Sequence, residues 1–172
     1  KPGNDIADFP GYSYRRQGRE EFEDRFPDMP LLVQQPGMEE EAREQFLAAF
    51  APGQVGTLLG FCVMGGIFSE GVDLTGDRLI GTAIVGVGLP QLGPELNTIR
   101  RYWDDRSGDG FAYAYQYPGM NKVMQAAGRV IRGQAERGVV LLIDNRFPTQ
   151  RYQLLFPAPW SHGKAVNRAS LA

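Results

Sequence analysis

The sequence predicts an α/β fold with a mostly parallel sheet of about five strands flanked by helices. Short apolar or β-branched stretches alternate along the chain with segments of helical periodicity, which is typical of βαβ units. The chain has 172 residues and 42% hydrophobic content, which is enough to bury one core. We therefore expect a single domain.

The strand and helix candidates alternate in chain order. The first strand is the least regular, because Asp5 and Asp8 do not suit a buried strand. The second helix opens with three glutamates, which complement the helix dipole and are interpreted as solvated rather than metal-binding. Strands are expected at 5–9, 29–33, 57–63, 82–87 and 139–143, and helices at 12–26, 38–50, 94–106 and 118–132. After Phe156 we expect a tail, residues 157–172, of which 156–160 packs back on the domain and the rest is flexible.

Composition excludes several classes of function. A formal net charge of -2 provides no overall basic field, so contact with nucleic acid would need a local arrangement. The single cysteine, Cys62, rules out disulfide frameworks and fits a reduced, cytoplasmic setting. The single histidine, His162, falls in the tail and argues against Ser-His-Asp or Cys-His catalysis. Neither a membrane span nor a signal peptide is expected, and the abrupt start suggests a piece of a longer chain.

The segment QAAGRVIR, residues 125–132, carries the first functional signal. At about 100° per residue, Gln125, Arg129 and Arg132 cluster within an arc of about 60°, away from the apolar positions. The apolar positions are Met120, Val123, Met124, Ala127, Val130 and Ile131, which we expect to be the buried face. No acidic residue lies among the arginines, so two guanidinium groups and an amide are available to a polyphosphate, as in an arginine finger. The alternative is a solvated helix face, and burial of these guanidinium groups against carboxylates of the same chain would contradict the arginine-finger interpretation.

The loop GGIFSEGVDLTGDRL, residues 65–79, carries the second signal, because it follows a predicted strand on the side where α/β sheets bind ligands. Glu70 and Asp73 would repel phosphate, so we expect them to meet a ribose hydroxyl, a basic residue or a cation. Ser69 and neighbouring amides suit a nucleic-acid phosphate. For Asp73, a helix cap or an Asx-turn is the alternative.

Three further segments are interpreted more simply. Residues 86–95 should border the same crevice, and the alternating aromatics of 111–117 are interpreted as a half-buried strand or packing element rather than a base-stacking platform. Asp144 and Arg146 should form an ion pair that orients the arginine-bearing helix. The chain contains no GxxxxGK[ST] phosphate loop, so a phosphate cradle and a magnesium site would have to come from a partner domain.

Two of these motifs resemble those of superfamily 2 helicases of the DinG/XPD iron–sulfur branch. GGIFSEGVDLTG resembles motif V and QAAGRVIR resembles motif VI, while FPGYSY at 9–14 resembles the motif IV region. LLVQQPGMEEEAREQFLAAF and GVVLLIDNRF resemble the flanking segments, so the resemblance covers most of residues 3–156. In that family the motif IV strand is usually hydrophobic and is followed by Phe-Pro-Ser-Tyr, whereas here Asp8 precedes Phe9 and Gly11 replaces the serine.

The resemblance implies a RecA-like three-layer sandwich over residues 1–156, acting as the second motor domain of an ATP-dependent 5′–3′ DNA helicase, as in DNA repair. It implies that Arg129 and Arg132 approach the γ-phosphate, with Arg132 as the finger and Gln125 nearby. It implies further that Asp73, with Glu70, lies near the nucleotide, and that Ser69 and Tyr12 contact single-stranded DNA. ATP and Mg²⁺ would be bound mainly by an upstream RecA-like domain of the same polypeptide. That domain would also carry any iron–sulfur cluster, none being expected in this chain.

Two other functions stay open on the residues alone. One is a stand-alone nucleic-acid or nucleotide-binding regulatory module without ATPase activity. The other is a small α/β enzyme that holds a dinucleotide in the glycine-rich loop, although no GxGxxG opens a helix after the first strand. On the helicase interpretation, this chain alone should not hydrolyse ATP.

Overall fold

The core of the protein is a single five-stranded sheet. The computed structural model describes residues 2–53, 55–68, 74, 76–131 and 137–167. The strands lie in the order β2-β3-β1-β4-β5, and every paired neighbour is parallel. They are β1 (Asn4–Phe9), β2 (Leu31–Val33), β3 (Leu58–Val63), β4 (Gly81–Val85) and β5 (Val139–Ile143). The predicted α/β class and all five predicted strands are confirmed, including the irregular first one.

Helices connect three of the four pairs of successive strands, as is usual in a parallel sheet, and between β3 and β4 the described residues contain only the 3₁₀ turn Gly76–Arg78. They are α1 (Tyr12–Arg25), α2 (Glu40–Ala48), α3 (Pro94–Ser107), α4 (Tyr117–Ala127) and the short α5 (Gln150–Gln153). Proline begins α3, and Gly108 ends it with a φ of 73°, donating its N–H to the Asp104 carbonyl at 3.1 Å. The four predicted helices are present, with shifts of up to five residues at their ends.

The sheet is covered on both faces, which gives three layers. On one face, Phe22 of α1 packs with Phe9 and Phe61 of the two central strands. On the other face, two apolar clusters lie side by side. One combines strand residues with Phe46 and Phe50 of the α2 region, and the other packs α4 against β4. Asp8 of the central strand β1 points into this second face, because it shares the face with Ile6 two positions earlier.

The aromatic segment 111–117 is helical, so the strand interpretation of it is wrong and the packing interpretation is confirmed. Residues Ala112–Gln116 form a π-helical turn that continues into α4. In this conformation residues four apart meet, and Tyr113 packs edge-on against Tyr117 at 5.2 Å. Trp103 of α3 stacks on Tyr113 at 4.0 Å. Alternating aromatics therefore serve two sides of one helical segment rather than two faces of a strand.

Helix α4 ends earlier than predicted, at Ala127 rather than residue 132. Most of the predicted buried face is confirmed, since Met120, Val123, Ala127 and Val130 are buried. Ile131 is 46% exposed, because the chain has left the helical path before reaching it. A 3.6-residue period fitted across residues 118–132 therefore misplaces the side chains that follow Gly128.

The segment after Phe156 packs against the domain. Residues Ala158–His162 form a short 3₁₀ turn, and Trp160 lies edge-on to Phe156 at 5.3 Å. Both rings join the apolar cluster that also holds Phe147 and Tyr152. Within the described residues, no helix is long and apolar enough to cross a membrane.

Candidate functional site

The carboxyl edge of the sheet gathers the segments that the sequence singles out. Strand β1 ends at Phe9 and leads into Tyr12, while β3 ends at Val63 and leads into the glycine-rich loop. The chain after α4 returns to the same edge, since Arg129 contacts both Asp8 of β1 and Phe68 of that loop. Ligands of parallel α/β sheets bind at this edge, so it is the candidate site.

Arg129 is the residue that joins these segments. Its Nη2 donates to Asp8 Oδ2 at 2.6 Å, and its Nη1 donates to the Phe68 carbonyl at 3.3 Å. The Arg129 side chain is only 6% exposed and the Asp8 side chain only 1%. Thr82 of β4 donates its hydroxyl to the same Asp8 oxygen at 3.3 Å. One buried guanidinium thus links a strand, the glycine-rich loop and the segment that follows α4.

The expectation that Arg129 is unneutralised and faces away from the core is wrong. A 3.6-residue helical period placed it opposite the apolar positions, but the helix ends two residues earlier and the turn directs its side chain inward. Its counter-charge comes from Asp8, which is 121 positions away in sequence. A search for acidic residues close to Arg129 along the chain therefore does not find it. Removing one partner of such a buried pair costs about 3–5 kcal/mol, because the other charge is left uncompensated.

Only two of the other predicted site residues lie in the described part of the chain. Gln125 is on the exposed side of α4, as the helical arithmetic predicted. Tyr12, the first residue of α1, is 40% exposed at the carboxyl edge. The remaining predicted site residues lie outside the described residues, and they are Ser69, Glu70, Asp73 and Arg132.

Tyr12 belongs to a small polar cluster at the ends of β2 and β3. The fully buried Gln34 donates from Nε2 to the Tyr12 hydroxyl at 3.3 Å and accepts at Oε1 from the Val63 N–H at 2.8 Å. The Arg15 guanidinium lies 5.1 Å from the Tyr12 ring centre, within cation–π range. The Tyr12 hydroxyl is therefore held by an amide, and a cation lies over its ring.

A cavity opens at the ends of β4 and β5. Its lining includes Tyr14, Gly86 and Leu89, which confirms that the segment after β4 borders the edge. Asp144 and Arg146 also line it and form the predicted ion pair, with two guanidinium–carboxylate contacts of 2.8 Å. The hydrogen bond and charge of Arg146 lower the pKa of Asp144. Both carboxylate oxygens accept from Arg146, so the pair is not observed to orient the arginine-bearing segment.

Metal ligation finds no support in the described residues, which contain no group of three or more His, Cys, Asp or Glu side chains placed to hold an ion. The glutamates at the start of α2 are exposed, as expected. Glu40 pairs with Arg43 one turn later at 3.3 Å, which is ordinary helix-surface chemistry.

Sequence reasoning missed Asp8, Gln34 and Arg15 as members of this edge. A signal for Asp8 was available, because an acid in a central strand must find a cation or a dense set of donors when buried. In the sequence analysis, Asp8 is given only as a reason to doubt that residues 5–9 form a buried strand. Gln34 and Arg15 carry no comparable local signal, since their burial depends on how α1 and β2 meet.

The fold and the converging segments define the class of this domain, which is an α/β domain of the RecA-like type. It is similar in structure to a solved apo form of XPD, with a TM-score of 0.69 at 20% identity, covering 88% of this chain and 30% of that one. A family model described as the helicase C-terminal domain matches residues 1–163. The chain belongs to that family.

Curated relatives agree with this assignment. The chain is 29% identical to the ATP-dependent DNA helicase DDX11 of Danio rerio, over 85% of this chain and 18% of the relative. It is 31% identical to the general transcription and DNA repair factor IIH helicase subunit XPD/RAD3 of Saccharomyces cerevisiae, over 72% and 16% respectively. It is 30% identical to the ATP-dependent DNA helicase YoaA of Escherichia coli, over 76% and 20%. The chain therefore spans a fifth or less of the length of these relatives.

Proposed function

We propose that this chain is the second motor domain of an ATP-dependent DNA helicase that translocates 5′ to 3′ on single-stranded DNA. The observation that carries the proposal is the convergence at one sheet edge of three segments, of which one begins with Tyr12, one leads to Phe68 and one contains Arg129. The match of residues 1–163 to the helicase C-terminal domain supports it, as do relatives named as DNA helicases.

In this proposal, an upstream RecA-like domain of the same polypeptide holds ATP and Mg²⁺ and closes against the carboxyl edge of this sheet. Arg132 is the arginine finger and stabilises the charge that develops on the transferred phosphoryl oxygens. Gln125, Glu70 and Asp73 face the nucleotide from the same side. Because a triphosphate attracts Arg132 more strongly than a diphosphate does, hydrolysis loosens the interface between the domains.

Arg129 is not assigned a direct contact with the nucleotide. The Arg129 side chain is buried within this domain and bonded to Asp8 and to the Phe68 carbonyl. Breaking those bonds would leave the Asp8 carboxylate buried without a counter-charge, which is unfavourable.

Tyr12 and Ser69 are proposed to contact the DNA strand. The exposed Tyr12 ring offers a face on which a base can stack, a contact that tolerates any base. The amides of the loop that contains Ser69 would bind a backbone phosphate. Both contacts are independent of sequence, as a translocating motor requires.

The test uses the full-length protein that contains this domain. Arg132→Ala should lower DNA-stimulated ATP turnover by about 10³-fold or more with a smaller effect on ATP binding, which is the magnitude of an arginine finger. The matched control is Arg137→Ala, because Arg137 is an exposed arginine five positions further along the chain. Turnover within a few-fold of the parent in Arg132→Ala would refute the assignment.

Two further measurements separate the proposal from its alternatives. Strand displacement from substrates with a 5′ or a 3′ tail reports polarity, and only the 5′-tailed substrate should be unwound. The 172-residue chain alone should not hydrolyse ATP. A full-length protein that lacks a phosphate loop and binds nucleic acid without turnover would instead be a regulatory module.

A further inference from the structure

The geometry points to Asp8 as a positioning residue. It acts through Arg129 to hold the start of the glycine-rich loop and the segment leading to Arg132 in a fixed position relative to each other. This inference rests on the proposed function and names a residue outside the three helicase motifs. Asp8 does not touch the nucleotide in this scheme. Its effect is transmitted by one guanidinium.

The first step is the position of Asp8 within the sheet. It lies near the end of β1, the central strand, beside Cys62 of β3 and Ile84 of β4. Neighbouring strands on both sides hold it in place, so its carboxylate is a fixed point.

The second step is what the fixed carboxylate does to Arg129. The Asp8 carboxylate accepts a hydrogen bond from Nη2, and the Phe68 carbonyl accepts one from Nη1. Both terminal nitrogens of the guanidinium are therefore bonded within the domain. Phe68 is buried and stacks on Phe46 of α2 at 4.5 Å. Phe68, near the start of the glycine-rich loop, is therefore held by two contacts. Its ring stacks on Phe46, and its carbonyl accepts a hydrogen bond from Arg129.

The third step connects this arrangement to the finger. Arg132 follows Arg129 by three residues, and Ser69 follows Phe68 by one. The bond between Arg129 and the Phe68 carbonyl therefore joins the two points of the chain that directly precede the residues proposed to meet nucleotide and DNA. Without Asp8, the Arg129 guanidinium would be buried without a counter-charge and would move towards another anion or towards solvent. Its bond to the Phe68 carbonyl, which joins the two segments, would then be lost.

The opposite role for Asp8 would be to compete with phosphate for Arg129. The burial of both partners disfavours that role, since exchange would strand one charge in the interior. The two roles predict opposite results for Asp8→Asn. Loss of a competitor would strengthen ATP binding, whereas loss of an anchor would lower kcat and leave KM for ATP nearly unchanged.

The experiment measures kcat, KM for ATP and amide hydrogen exchange in the full-length protein. Asp8→Asn should lower kcat at least tenfold with KM for ATP changed less than threefold, and it should speed exchange in residues 66–74 and 128–136. Asp8→Glu, which keeps the charge, should recover part of kcat. The control is Asp5→Asn, on the same strand but the opposite face, which has no ion-pair partner in the described part of the chain; it should change neither readout.

Each contrary result is decisive. Unchanged exchange in Asp8→Asn overturns the inference even if the protein proves not to be an ATPase, so its failure is separable from failure of the proposed function. Tighter ATP binding overturns it in favour of competition. If Asp8→Asn does not fold, the apolar double variant Asp8→Leu/Arg129→Met takes its place. Parental kcat in that variant would mean that the pair is structural only, whereas a stable protein with low kcat supports positioning.

Discussion

The strongest prediction about stability concerns the buried pair of Asp8 and Arg129 in the 172-residue chain. The two groups are 2.6 Å apart, and the Arg129 side chain is 6% exposed and the Asp8 side chain 1%, so solvent screens the interaction little. Either single substitution, Asp8→Leu or Arg129→Met, leaves the opposite charge buried and should cost about 3–5 kcal/mol of unfolding free energy. That is a large part of the roughly 5–15 kcal/mol that stabilises a typical domain.

The double variant should cost far less than the sum of the two single variants. With both charges gone, the remaining losses are the Phe68 carbonyl and the Thr82 hydroxyl, which would lack their present partners. Each unsatisfied group costs about 1–3 kcal/mol, partly offset by better apolar packing. We therefore expect a large favourable coupling between the two positions, which a double-mutant cycle measures directly.

The assay is urea denaturation followed by tryptophan fluorescence and far-UV circular dichroism. With a slope of about 2 kcal/mol/M, a single variant should move the midpoint down by about 1.5–2.5 M. Thr82→Val, which removes only the 3.3 Å hydroxyl contact to Asp8, is the control and should cost about 1 kcal/mol. Additive single effects, or a midpoint unchanged in Asp8→Leu, would refute the reasoning that the pair is desolvated and mutually dependent.

Three smaller predictions follow from individual contacts. Gly119→Ala places a Cβ 2.5 Å from the Val87 carbonyl and should cost about 1–3 kcal/mol in thermal unfolding, whereas Gly93→Ala meets open space and should cost no more than about 1 kcal/mol. Burial raises the pKa of Cys62, so this thiol should resist a disulfide reagent until the protein is unfolded, and fast labelling of the native protein would contradict the structure. Arg146 lowers the pKa of Asp144, so Asp144→Asn should be less stable than the parent at pH 7, and this difference should disappear as pH falls below about 4 and the carboxylate is protonated. Because Arg146 is 44% exposed, the difference should not exceed about 1 kcal/mol. A stability difference between Asp144→Asn and the parent that grows as pH falls would contradict the lowered pKa of Asp144.

The elements of the fold were accessible from sequence because they depend on local patterning. Short apolar stretches such as Leu58–Val63 can be buried on both faces only in a covered parallel sheet, and the intervening segments have helical periodicity. The ends of α4 were less accessible. A π-helical turn precedes the helix and a tight turn follows it, and neither changes the apolar spacing enough to be read from a 3.6-residue period.

The sequence by itself determined the α/β class, the five strands and the segments that meet at the carboxyl edge, since each follows from composition and spacing along a few neighbouring residues. Only the tertiary structure decided what Arg129 does. Its counter-charge comes from Asp8, which is distant in sequence and adjacent in space, and local spacing contains no information about such a pair. The physical reason is that burial of a charge is a property of the assembled sheet and helices, so an arginine with no acidic neighbour in sequence can form a buried ion pair in the folded protein.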